Sequence, residues 1–266
     1  MLTMKNPTVQ TVCDAMNRLA PKYLAEEWDN PGLLVGDPHQ AVDKILICLD
    51  LSEDIIQKAI EAKVQMIVTH HPMIFKAIKS VRTDLPLGRK ISSLIKNDIS
   101  CFAAHTNLDS AAGGVNDVLA RKIGLVNVKP FDEEHSLGRI GNLQREMSAK
   151  EFALHIKYSL KADTVRLINA GDFIIKTVGI CGGAGSEFIS KAKFLGADAF
   201  VTGDVKYHEA QSAIENKIHV VDAGHFATEF PIVHTLAKKL KEEFGRLNIA
   251  IEVLEDTSAK DFFSII

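Results

Sequence analysis

Apolar positions follow two rhythms along this chain, one that gives a helix a buried face and one that marks short buried strands. Val9, Val12, Cys13, Met16 and Leu19 keep helical spacing, which predicts an amphipathic helix over 8–25. The tetrapeptide Asp29-Asn30-Pro31-Gly32 then predicts a tight reversal before a short strand. Residues 44–50, KILICLD, predict a strand, and Ser52 is a suitable N-cap for a helix over 53–63. A second apolar run, 64–69, predicts another strand, so this stretch reads β-α-β. Pro86-Leu87-Gly88 opens a helix through Ile95, and residues 99–104 predict a third strand. A further helix is expected over 111–123, with Gly113-Gly114 in a loop inside or before it.

From 126 to 145 the pattern breaks down, with Pro130, Gly138 and Gly141 marking a connector between two halves, 1–128 and 129–266. Ser148 and Glu151 form a capping box for a helix through Leu160, followed by a strand over 163–169. Residues 176–181 open a second β-α-β run that resembles the first. SEDIIQKA at 52–59 matches SEFISKA at 186–192, MIVTH at 66–70 matches AFVTG at 199–203, and HTNLD at 105–109 matches HFATE at 225–229. The expected fold class is therefore α/β, two pseudo-repeated halves with a site between them. A C-terminal strand over 250–255 and a tail over 261–266 close a sheet or an interface.

Composition narrows the class. With 266 residues, 46% hydrophobic and 24% charged, the chain can bury one large or two small cores. A formal net charge of −3 advertises neither nucleic acid nor an anionic membrane, so the expected partner is a small molecule. The N-terminus lacks a signal-peptide core and no apolar run reaches the roughly 18 residues of a spanning helix, which predicts a cytoplasmic protein without membrane contact. Cys13, Cys48, Cys101 and Cys181 are dispersed in apolar patterns, which argues against disulfides and thiolate sites. Trp28, the only tryptophan, is expected as a packing anchor rather than a ligand platform.

The candidate chemistry lies at strand ends. His70 and His71 follow the 64–69 strand, Pro72 stops it, and strand alternation predicts diverging rings. His225-x-x-x-Glu229 converges on one face if helical, although Pro231 limits that helix; the plainer alternative is a solvated helix start. Together His70, His71, Asp109, His225 and Glu229 supply three imidazoles and two carboxylates. That mixture suits zinc, manganese or iron better than calcium or copper(I), and two such ions make metal-assisted hydrolysis the expected reaction. His105 and His208, with Asp204 nearby, are candidates for proton transfer or for orienting ligands, or else satisfy backbone groups. The turn Gly182, Gly183, Ala184, Gly185, Ser186 joins a strand to a helix start, where backbone amides can cradle phosphate or simply cap a tight turn.

Glu27-Trp28-Asp29-Asn30-x-Gly32-Leu33, Thr69-His70-His71-Pro72, His105-Thr106-Asn107-Leu108-Asp109, Gly182-Gly183-x-Gly185 and Gly224-His225-x-x-x-Glu229, in this order, resemble the NIF-three-like family of GTP cyclohydrolase 1 type 2 homologs. The resemblance covers nearly the whole chain. It implies a two-lobed α/β fold, a dinuclear metal site held by the same five residues with Glu229 bridging, and a homohexamer built as a trimer of dimers. It also implies a hydrolase acting on a nucleotide or related phosphorylated heterocycle, with GTP the first candidate. No guanine-recognition motif is visible, so a di-metal phosphoesterase and a non-catalytic metal-binding scaffold with protein partners stand as alternatives.

Overall fold

The computed structural model describes residues 6–132 and 137–266. His135 and the middle of the expected connector lie outside the described residues, as do the first five residues. The strands are β1 (Gly32–Val35), β2 (Lys44–Cys48), β3 (Met66–Thr69), β4 (Ser100–Ala103), β5 (Val126–Pro130), β6 (Arg139–Met147), β7 (Arg166–Ile168), β8 (Ile175–Ile180), β9 (Ala199–Thr202), β10 (His219–Asp222) and β11 (Glu252–Glu255). They form two sheets, and with the helices that connect the strands along the chain they give a mixed α/β architecture.

The chain divides into two compact units, Met1–Ala111 with Val233–Ala259, and Ala112–Ile232 with Lys260–Ile266. β5 and β6 pair with each other and β6 with β8, so the stretch expected as a connector lies in the second sheet. The C-terminal part also returns to the first unit, since β11 pairs in parallel with β2.

In the first unit the order is β1-β4-β3-β2-β11, with β4, β3, β2 and β11 parallel and β1 antiparallel. The helices Glu53–Glu61 and Pro86–Lys96 supply Ile55, Ile56, Ala59 and Leu94 to a core with Leu46 and Ile67. Ser52 caps the first of them by accepting from the Ile55 amide at 3.1 Å, and Pro86 starts the second where its missing N–H costs nothing. The N-terminal helix is shorter than its pattern, Val9–Leu19, and Pro21 separates it from a 3₁₀ turn, Lys22–Leu24.

In the second unit the order is β5-β6-β8-β9-β10-β7, with β8, β9 and β10 parallel. Both faces of this run are covered: Val201 of β9 packs with Phe152 and Ile156, whereas its neighbour Phe200 packs with Phe131 and Ile189. The Ser148 capping box is present, with Glu151 Oε2 accepting from the Ser148 amide at 2.9 Å. Each unit thus carries three adjacent parallel strands joined by helices, the last strand leading into a short helix.

Candidate metal centre

Adjacent parallel strands bring their carboxyl ends to one sheet edge, and in the first unit β3 and β4 do so. β3 ends at Thr69, before the histidine pair, so strand alternation does not govern it. The expected divergence is therefore corrected: the His70 and His71 rings lie side by side, with centroids 4.9 Å apart. The Leu49 carbonyl accepts from both amides, at 3.2 and 3.0 Å, which bends the chain there.

His70 is buried, and its Nδ1 lies 2.8 Å from the Ala104 carbonyl oxygen. Nδ1 of His71 lies 2.8 Å from Asp50 Oδ1, and Nδ1 of His105 lies 2.8 Å from Asp29 Oδ1. One ring nitrogen from each of these three histidines falls within 4.8 Å of the others. His105 begins the short helix Thr106–Ser110, whose Asp109 sets Oδ1 3.5 Å from His70 Nε2.

The second unit builds a related arrangement. Gly224, at φ 82°, turns the chain from β10 into the helix His225–Glu229, and Pro231 starts a separate helix, Pro231–Arg246. The i, i+4 spacing puts His225 Nε2 3.1 Å from Glu229 Oε2, and Glu229 is only 4% exposed. Nδ1 of His225 lies 2.8 Å from Oδ2 of Asp204, which follows β9 at φ 56°.

These sets fit a divalent ion. A hydrogen bond from Nδ1 to an oxygen acceptor fixes the neutral imidazole with its lone pair on Nε2, the usual support of a metal-binding histidine. All four histidines have such an acceptor. Two donors about 2.0–2.1 Å from one tetrahedral zinc stand about 3.3 Å apart. The His70–Asp109 and His225–Glu229 separations of 3.5 and 3.1 Å bracket that spacing.

Asp29 is the firmest of the supports. Burial works to raise its carboxyl, but hydrogen bonds from His105 and Thr106 and the His105 charge outweigh it and hold it at about 2. Asp29→Asn is expected to lower stability by about 1.5–3 kcal/mol, the range for hydrogen bonds to a charged group. Because the folded value lies below the ordinary 3.8, the contribution is complete above that pH and lost as pH falls towards 2. Thermal melts between pH 2 and 6 check this: the two proteins should differ at neutral pH and converge in acid.

His208 and the glycine turn contribute no donor to these sets. His208 is exposed in the first turn of the helix Tyr207–Glu215, its Nδ1 3.5 Å from Gln211 Oε1. In the glycine turn the three glycine amides are already engaged. The amides of Gly182, Gly183 and Gly185 donate to Asn116 Oδ1, Thr228 Oγ1 and Thr202 Oγ1 at 2.8, 3.0 and 2.9 Å. Gly183 has another role: at φ 63°, a Cβ there would lie 2.2 Å from Glu229 Oε1. The cysteines are buried, and burial pushes the thiols of Cys13 and Cys101 up to about 11 and about 12.

Sequence pattern passed over Asp29 and Asp50 as supports. Their only signal was position, Asp50 ending a predicted strand and Asp29 following Trp28 in a turn. Trp28 itself corrects the expectation of a packing anchor, for it is 57% exposed.

Fold and donors together define a mixed α/β protein with histidine and carboxylate sets at the carboxyl ends of parallel strands. The chain belongs to the Duf34/NIF3 (NGG1p interacting factor 3) family, whose model matches residues 7–260. It is 39% identical over 260 residues to a Clostridium perfringens protein named GTP cyclohydrolase 1 type 2 homolog, covering 96% of this chain and 98% of the relative. Its fold is similar to that of a Bacillus cereus protein related to NIF3, with a TM-score of 0.92 at 26% identity over 98% of this chain and all of that one. Reduced HcgD from Methanocaldococcus jannaschii is similar with a TM-score of 0.79 at 31% identity, covering 94% of this chain and 98% of that one. Among the described residues no helix is long and apolar enough to cross a membrane.

Proposed function

We propose that the chain is a dinuclear-metal-dependent hydrolase acting on a nucleotide or related phosphorylated heterocycle, with His70, His71, Asp109, His225 and Glu229 as ligands of zinc, manganese or iron. The observation that carries this is the common support of the histidines, each with Nδ1 held 2.8 Å from an oxygen acceptor. Such support is costly to build and serves ligation. Divalent ions bound there would supply an activated water and polarise the attacked group. The chain's part is to orient and to move protons. His105, held by Asp29, is placed beside His70 and His71 to take a proton at its other ring nitrogen. Asp204 and Asp50 keep His225 and His71 in the tautomer that presents Nε2.

GTP is the first substrate to try, because the relative's name points to it. Assembly as a homohexamer and a cytoplasmic setting belong to the same proposal. The test is elemental analysis of the purified protein, followed by mass-spectrometric product detection from a nucleotide panel before and after chelation. Close to two equivalents of metal, with formate or phosphate released only by the loaded protein, is the expected result. Two equivalents with no product from any nucleotide would end the hydrolase reading in favour of a metal-binding scaffold.

A further inference from the structure

Large aromatic side chains are normally covered, and an uncovered one on a rigid support has to be explained. Trp28 is 57% exposed and Phe75 is 44% exposed. Their rings meet edge to face, with centroids 5.8 Å apart and planes at 62°, so they form the two walls of an open corner. His105 completes the corner, its ring centroid 6.2 Å from Trp28 and 6.1 Å from Phe75, steeply inclined to both. The same imidazole belongs to the cluster with His70 and His71.

The corner is held by the backbone, not by burial of the rings. Asp29, next to Trp28, is locked to His105 and to the Thr106 amide at 3.0 Å, and the Thr106 hydroxyl accepts from the Glu26 amide at 3.0 Å. Asn30 Nδ2 donates to the Ile74 carbonyl at 2.7 Å, which ties the segment before Phe75 to the segment after Trp28. A small number of polar bonds thus fixes two exposed aromatic faces beside His105, the proposed proton-transfer residue. Hydrophobic walls of fixed geometry next to convergent polar groups are the ordinary make-up of a small-molecule site.

We propose that Trp28 and Phe75 form a stacking platform for the planar heteroaromatic ring of the substrate, setting that ring beside His105. The inference deepens the hydrolase reading and rests on it for the ring's identity as part of a substrate. It assigns ring selection to the Trp28 and Phe75 segments, not to the glycine turn of the second unit.

The single tryptophan of the chain makes the platform directly observable. Metal-depleted full-length protein is titrated with guanosine monophosphate, uridine monophosphate and ribose 5-phosphate while Trp28 emission is recorded. The expected result is saturable quenching by the two nucleotides, stronger for the purine, and none by the ringless sugar phosphate. Phe75→Ala should weaken nucleotide binding about tenfold, as should Trp28→Ala followed by calorimetry, whereas Trp28→Phe, which keeps a ring, should restore most of it.

Equal binding of ribose 5-phosphate, or no response to either nucleotide, would overturn the platform. So would Trp28 emission that shifts only on dilution, as the protein dissociates into smaller species, for the corner would then be a contact between copies. The two readings fail separately. Nucleotide binding without products from the metal-loaded protein would end the hydrolase and leave the platform; turnover with an unchanged KM in Trp28→Ala would do the reverse.

Discussion

Glu229→Gln is expected to weaken divalent metal binding by about a hundredfold or more while leaving the metal-free protein as stable as the parent or slightly more so. Glu229 is 4% exposed, and its Oε2 lies 3.1 Å from His225 Nε2. A carboxylate buried to this degree costs desolvation energy, which a bound cation would offset. Glutamine keeps the shape and removes the charge. At a metal concentration about 1,000 times the parent Kd, binding stabilises the parent by about 4.1 kcal/mol; a hundredfold weaker site retains about 1.4 kcal/mol. Thermal melts with and without added zinc or manganese read both quantities, together with the metal content of the purified variant. An undiminished metal-induced rise in Tm would remove Glu229 from the ligand set and with it the dinuclear reading.

Gly183→Ala is expected to have the second-largest effect, and it acts on the same carboxylate from behind. At φ 63° the position tolerates an L side chain at a cost of about 1–2 kcal/mol. The added methyl would also stand 2.2 Å from Glu229 Oε1 and 3.2 Å from His225 Nε2, so the buried carboxylate has to move. Metal affinity should fall at least tenfold, with an additional stability loss of about 1–2 kcal/mol. Gly196→Ala is the control, because that residue also has positive φ, 91°, but nothing lies within 4 Å of its added Cβ. Both variants should melt earlier than the parent, and only Gly183→Ala should lose metal. Equal metal binding by the two variants would show that Glu229 does not depend on the glycine.

Much of this was legible along the chain because the signals are local. Ser52 and Ser148 cap helices as their spacing predicts, since a cap is decided within four residues. The His225-x-x-x-Glu229 pair converges because helical geometry alone brings i to i+4. The broken pattern over 126–145 predicts a connector, yet the stretch holds β5 and the start of β6, and every residue of β5 is exposed. A strand with no buried face carries no alternation to read. Trp28 misled for a related reason: residue type predicts burial on average, whereas its exposure follows from what Asp29 and Asn30 hold in place.

The sequence by itself determined the alternation of strands and helices, the placing of histidines and carboxylates at strand ends, and the dispersal of the cysteines. These depend on residue type and short spacing. Tertiary structure alone decided which strands pair, including the return of β11 to β2, and which oxygen holds each imidazole. Asp50 supports His71 from 21 residues away, and Asp29 supports His105 from 76. Such partners are chosen by the order in which strands enter a sheet, and no local periodicity encodes contacts closed over distances of that length.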